Sequence, residues 1–170
     1  VIKHLPSELP NNPSDWFRSN LQVLSTERAS DQFSFEPSLL QFHTRPFLKI
    51  QDGCSRRCAY CRIPQARGPS ISLEVSEVLR RIISLEKEGY REVVLTGVNI
   101  SDYRSGAMDL PALLEKIVGS TQIIRIRLSS LEPDQINSRL LEIIASPRIC
   151  PHFHIPVQSG SDTILSLMRR

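Results

Sequence analysis

From Pro46 onward, short apolar runs of strand length alternate with amphipathic stretches of helix length, and this rhythm limits the fold more than any other feature. Phe47 to Gln51, Glu92 to Thr96, Ile123 to Leu128 and Phe153 to Val157 read as strands. Between them, Val75, Val78, Leu79, Ile82 and Ile83 make one helical stripe, with Ser72 as its expected cap and Gly89 as its stop. Asp109 is placed to cap a second helix through Val118, with Gly119 after it. Pro133 is expected to open a third, and residues 161–168 a fourth. Strict alternation of strand and helix implies parallel strands joined by right-handed crossovers. Four strands cannot close a barrel, so an open sheet or part of a (β/α) barrel is expected. Loops at the C-terminal strand ends then carry function. They are 51–68, 97–103, 129–132 and 158–160.

Ahead of this region, residues 1–43 read as a linker or the remnant of a preceding domain. Pro6, Pro10 and Pro13 interrupt regular structure early. A short helix over 15–24 and an extended piece between Ser25 and Pro37 are expected. The sequence begins with Val and stops just after a helical pattern has started, so it reads as part of a longer chain. Hydrophobic residues make up 40% of the 170, too many for a disordered chain. No run of 18 apolar residues and no signal-peptide core are present, so a cytoplasmic, non-membrane setting is expected.

Four cysteines occur, and three of them, Cys54, Cys58 and Cys61, fall within eight residues. Disulfides among those three would close very small loops and leave a thiol over. Thiolates are soft ligands, so iron–sulfur ligation and zinc are both open, and so are unmetallated thiols. Structural zinc needs a fourth ligand, from Cys150, a histidine or elsewhere. Cys150 lies far along the chain and reads as a small buried residue. The net charge of +3 says little. Six basic residues between Arg45 and Arg67 face a single acid, Asp52, which makes either an anion-binding patch or a solvated loop.

The string Cys54-Ser55-Arg56-Arg57-Cys58-Ala59-Tyr60-Cys61 resembles the CxxxCxxC signature of radical S-adenosylmethionine (SAM) enzymes. Its continuation to Gly68 is similar to the methylthiotransferases of that superfamily. Further similar blocks follow in order at Leu95–Ile100, Arg125–Pro133 and His152–Asp162. The resemblance implies an α/β fold, the first part of a (β/α) barrel occupying 44–170. It implies a [4Fe–4S] cluster on Cys54, Cys58 and Cys61, with S-adenosylmethionine chelating the fourth iron and cleaved by one electron to a 5′-deoxyadenosyl radical. The protein's task is then positioning, the hard chemistry being the cofactor's. Tyr60, Gly97, Asn99, Ser129, Glu132 and Gln158 are the expected cofactor contacts. For Glu132 the competing role is capping before Pro133. His154 is expected either in the core or at substrate, and Arg125 and Arg127 either in the site or on the surface. No residue is singled out as catalytic in its own right.

The family adds sulfur from a second [4Fe–4S] cluster, expected only in the full-length protein, because no cysteine precedes Cys54. The fragment alone should not complete the reaction. Leu95-Thr96-Gly97-Val98-Asn99-Ile100 is most similar to the enzymes that methylthiolate N6-threonylcarbamoyladenosine beside the tRNA anticodon. Isopentenyladenosine tRNA enzymes, ribosomal-protein enzymes and a zinc-stabilised RNA-binding domain are the alternatives. Partners are then tRNA, an electron donor and a sulfur source.

Overall fold

The structure, a computed structural model, describes residues 32–34 and 44–170. The chain falls into two compact units, 1–34 and 35–170. The expected helix over 15–24 lies outside the described residues, as does most of the extended piece up to Pro37. All that follows concerns the second unit.

Three parallel strands form its sheet. β1 is Phe47–Lys49, β4 is Glu92–Thr96 and β7 is Arg125–Leu128, in the order β1-β4-β7. Leu48 pairs with Leu95, and Leu95 with Leu128, so three apolar residues align across the sheet. Leu48, Val93, Leu95, Ile126 and Leu128 are all buried. By register they share one face of the sheet, and two helices bring further buried apolar residues to the core. α2 (Val75–Lys87) contributes Val78, Ile82 and Leu85, and α3 (Leu110–Ser120) contributes Leu113, Leu114 and Ile117. α3 packs on α2 and on α4 (Ser138–Ile144), whose Leu140 is buried. Apolar burial at this density dominates the stability of the unit.

The fourth strand differs from expectation. Beside β7 there are only two isolated parallel bridges, Ile126 with Ile149 and Ser130 with His154. Pro151 and Pro156 lack the N–H that a continuous ladder needs. The crossover topology nevertheless continues in the expected sense.

Other local differences have equally local causes. Ser72 does not cap α2; it lies in β3 (Ile71–Ser72), and its hydroxyl accepts from the Arg104 N–H at 2.9 Å. Ser105 does part of that work, accepting from the Val75 N–H at 3.3 Å. Ser105 belongs to β5 (Arg104–Ser105), which forms a small hairpin with β6 (Met108–Asp109). Asp109 caps α3 as expected, accepting from the Ala112 N–H at 3.0 Å. Gly119 lies inside that helix and not after it. Pro133 opens only a single 3-10 turn (Pro133–Gln135), and α4 starts later with Asn137 as cap. The segment 161–168 is helical at Asp162–Met168, here α5.

Candidate functional site

The cysteine loop leaves the sheet at the C-terminal end of β1. Its base is a short antiparallel pair, β2 (Gln51–Asp52) against β3, with Gln51 opposite Ser72 and Asp52 opposite Ile71. Gly53 sits at φ +69, and a Cβ there would lie 2.0 Å from the Pro69 carbonyl oxygen. Only glycine fits, because the two ends of the loop touch at that point. The Cys54 N–H then donates to the Gly68 carbonyl at 3.1 Å. Within the loop Cys61 closes a turn on Cys58, and α1 (Ile63–Arg67) carries the chain back. The C-terminal end of α5 braces it, the Ala59 N–H donating to the Met168 carbonyl at 3.0 Å.

Asp52 anchors the base. Burial raises its pKa, but hydrogen bonds from Lys49, the Gly53 N–H and Arg67 outweigh that and hold the carboxyl below its ordinary range. Four of the six basic residues that gave the window its charge are thereby spoken for. Lys49 and Arg67 meet Asp52, Arg45 meets Glu92 and Arg56 meets Asp134. What remains toward solvent is narrower than the sequence implied. Arg57, Arg62 and Arg169 border a cleft of about 390 Å³ that also touches Cys58 and Cys61.

Cys54 is buried, and Cys58 and Cys61 are half-buried. Burial pushes the Cys54 thiol pKa up, and the neighbouring Asp102, Cys58 and Cys61 push the same way. Among the described residues, no three Cys, His, Asp or Glu side chains converge as ligands to one ion would. Three soft thiols on one short loop have the donor chemistry for iron–sulfur ligation. Cys150 cannot join them. It is buried at the opposite end of the sheet, where its thiol bonds to Glu92. Burial and that carboxylate raise its pKa.

The remaining sequence-selected residues gather unequally. Gly97 and Asn99 follow β4 directly. Asn99 is only 4% exposed, and neither its amide oxygen nor its amide nitrogen has a hydrogen-bond partner. The hydroxyl of Ser129, at the end of β7, is likewise buried and unpartnered. Buried polar groups are normally satisfied, so these orphans at adjacent strand ends make Asn99 and Ser129 candidates for contact with a polar ligand. Glu132 does not cap the turn it precedes. Its carboxylate pairs with Arg170 and lies 3.8 Å from Arg56. Tyr60 is half-exposed, its hydroxyl 3.3 Å from Arg170 Nη1, the same nitrogen that lies 4.0 Å from the Cys58 sulfur. Tyr60, Glu132 and the cysteine loop therefore meet around one guanidinium. Glu132 and Arg170 also line a cleft of about 280 Å³ with Val157 and Ser159. Gln158 between them is exposed, with a left-handed backbone at φ 64.

The structure resolves the two open readings of Arg125 and Arg127, and the core reading of His154. Arg127 pairs with Glu92 at 2.7 Å, and Arg125 stands opposite Glu92, both toward the N-terminal end of β4. His154 is exposed, not in the core, and meets the Ser130 hydroxyl at 2.7 Å. Conversely, the sequence reading passed over Gln51, Asp52 and Arg170. A polar pair interrupting the apolar β1 run was the available signal for the first two.

A parallel α/β sheet with a three-thiol loop and orphaned polar groups at its C-terminal edge defines a cofactor-binding domain of the (β/α) barrel kind, present here in part. The radical SAM superfamily profile matches residues 48–170, and the chain belongs to that superfamily. Among solved structures, the radical SAM methyltransferase TsrM of Kitasatospora setae superposes with a TM-score of 0.60 at 18% identity. It covers 72% of this chain and 23% of its own, which supports the fold. The Threonylcarbamoyladenosine tRNA methylthiotransferase MtaB of Treponema pallidum is 49% identical over 90% of this chain and 32% of its own length. The protein of the same description from Chlamydia pneumoniae is 40% identical over 81% and 35%. The tRNA-2-methylthio-N(6)-dimethylallyladenosine synthase of Chlorobaculum tepidum is 39% identical over 73% and 29%. The chain thus spans about a third of the length of these relatives.

Proposed function

We propose that this chain supplies the first part, residues 44–170, of the radical SAM core of a cytoplasmic tRNA methylthiotransferase acting on N6-threonylcarbamoyladenosine. Residues 1–43 are then a linker or the remnant of a preceding domain. The observation that carries the cofactor reading is a loop of three thiols at the same C-terminal sheet edge as the unpartnered Asn99 amide and Ser129 hydroxyl. The substrate follows from the 49% identity to a protein of that description. A second reading, a dimethylallyladenosine substrate, rests on the 39% identity to the Chlorobaculum protein.

Cys54, Cys58 and Cys61 would hold a [4Fe–4S] cluster. Bound together, cluster and S-adenosylmethionine supply one-electron chemistry able to open an unactivated C–H bond. The chain's own residues position and shield. Asn99 and Ser129 offer a buried amide and a buried hydroxyl whose hydrogen bonds a polar ligand would complete. The Glu132 carboxylate suits the cofactor's ammonium or ribose hydroxyls, and the half-exposed Tyr60 stands directly before the third cysteine. Gln158 contributes from the rim. A second cluster, the electron donor, the sulfur source and tRNA belong to the full-length protein.

The test is mass spectrometry of tRNA nucleosides from cells with and without the full-length gene. Loss of the methylthio derivative of N6-threonylcarbamoyladenosine, with the unmodified nucleoside accumulating, is expected. Loss of the dimethylallyl derivative instead selects the second reading. The purified full-length protein should turn brown on anaerobic reconstitution with iron and sulfide. Cys58→Ala should remove the radical-domain share of iron. Protein that stays colourless with tightly held zinc would sink the proposal.

A further inference from the structure

We infer that Gln51 is a positioning residue that locks the cysteine loop to the Asn99 edge, so that one side chain sets both halves of the proposed cofactor pocket. The side chain is fully buried at the sheet's C-terminal end. The two hydrogens of its amide nitrogen are shared among the Gly53 carbonyl at 2.8 Å, the Asp52 carbonyl at 3.0 Å and the Ser70 hydroxyl at 2.9 Å. Those three groups lie at the two ends of the cysteine loop. Its amide oxygen accepts from the Asn99 N–H at 2.8 Å, across 48 residues of sequence.

The orientation of this amide is not free. Reversing it would aim an oxygen at two carbonyls and an N–H₂ at an N–H. The space is reserved as well: a Cβ on Gly97 would lie 2.8 Å from the Gln51 amide oxygen and 2.7 Å from its carbonyl. Gly97 therefore has no room for a side chain beside Gln51. The arrangement leaves the Asn99 side chain unpartnered while its backbone is pinned. A buried network with every Gln51 group satisfied rigidifies what it joins. Here it joins the loop meant to carry the cluster to the segment meant to receive the cofactor's polar end.

This inference rests on the proposed cofactor reading, and the test separates the two. In the reconstituted full-length protein, Gln51→Met keeps the volume and removes every hydrogen bond. Gln51→Glu keeps an acceptor for the Asn99 N–H but sets an oxygen against the loop carbonyls. Iron content, thermal unfolding, equilibrium binding of S-adenosylmethionine and the change it causes in the reduced cluster's EPR spectrum are measured together. Gln51→Met is expected to load iron yet bind S-adenosylmethionine about tenfold more weakly, with a diminished EPR response. Gln51→Glu should bind it more tightly than Gln51→Met while surrendering iron faster to a chelator. Wild-type affinity and EPR response in folded Gln51→Met would overturn the inference. So would unfolding of both variants, which assigns Gln51 to stability alone. Failure of the wild-type protein to take up any cluster removes instead the reading on which the inference stands.

Discussion

Two glycines separate the effects of backbone geometry from those of simple propensity. Gly53 has a left-handed backbone, and a Cβ there meets the Pro69 carbonyl at 2.0 Å. Backbone atoms on both sides leave nothing flexible to yield. Gly53→Ala is therefore expected to cost about 3 kcal/mol or more and to impair iron loading. Gly119 lies within α3 with open space around it. Gly119→Ala should stabilise by about 0.5–1 kcal/mol through helix propensity. Urea denaturation of the two variants checks both signs. Both are glycines to the sequence reader, and Gly53 announces itself only by standing directly before Cys54. Gln51 announces itself even less, since its four partners come from three separate stretches of chain.

At the level of elements, the helices and strands are ordered largely by patterning, but their ends are held by side chains from elsewhere. Glu86 near the end of α2 accepts from the N–H groups of Gln122, Ile123 and Ile124 at 2.7–3.2 Å, holding the approach to β7. Burial opposes its charge, yet these bonds win and its pKa falls below the ordinary value. Arg148 braces the same stretch, donating to the Thr121 and Ile124 carbonyls. Glu86→Ala strands three amides at once. A loss of about 1–3 kcal/mol is expected in denaturation experiments, with faster hydrogen exchange confined first to residues 122–124. An unchanged exchange pattern would show that water replaces the carboxylate without cost. The helical stripe of α2 was legible because period and burial agree. Its start was not, because Ser105 arrives from a hairpin that has no apolar pattern to reveal it.

Across the whole molecule, Asp52, Glu77, Glu86 and Glu92 all have pKa values below their ordinary ones. Glu77, bonded to Arg80 and Arg81, is lowered to about 2. The folded state thus binds fewer protons than the unfolded one in acid. Stability from these groups is complete above the ordinary glutamate value of 4.5 and is lost as pH falls through the folded values. The denaturation midpoint should be level from pH 7 to about 5 and drop progressively below that. A midpoint that rises in acid would contradict the ion-pair assignment. Glu77 is partly solvated, so its share is smaller than its shift implies.

Periodicity and cysteine spacing alone determined that this protein is a parallel α/β unit with a soft-ligand loop after its first strand, since both are properties of neighbouring residues. Only the tertiary structure decided that Cys150 belongs to the far end of the sheet. It also decided that four of the six cations in the basic window are held in ion pairs, and that Gln51 and Asn99 meet. Those facts depend on groups tens of residues apart, brought together by packing and desolvated there, where a hydrogen bond left unmade is costly.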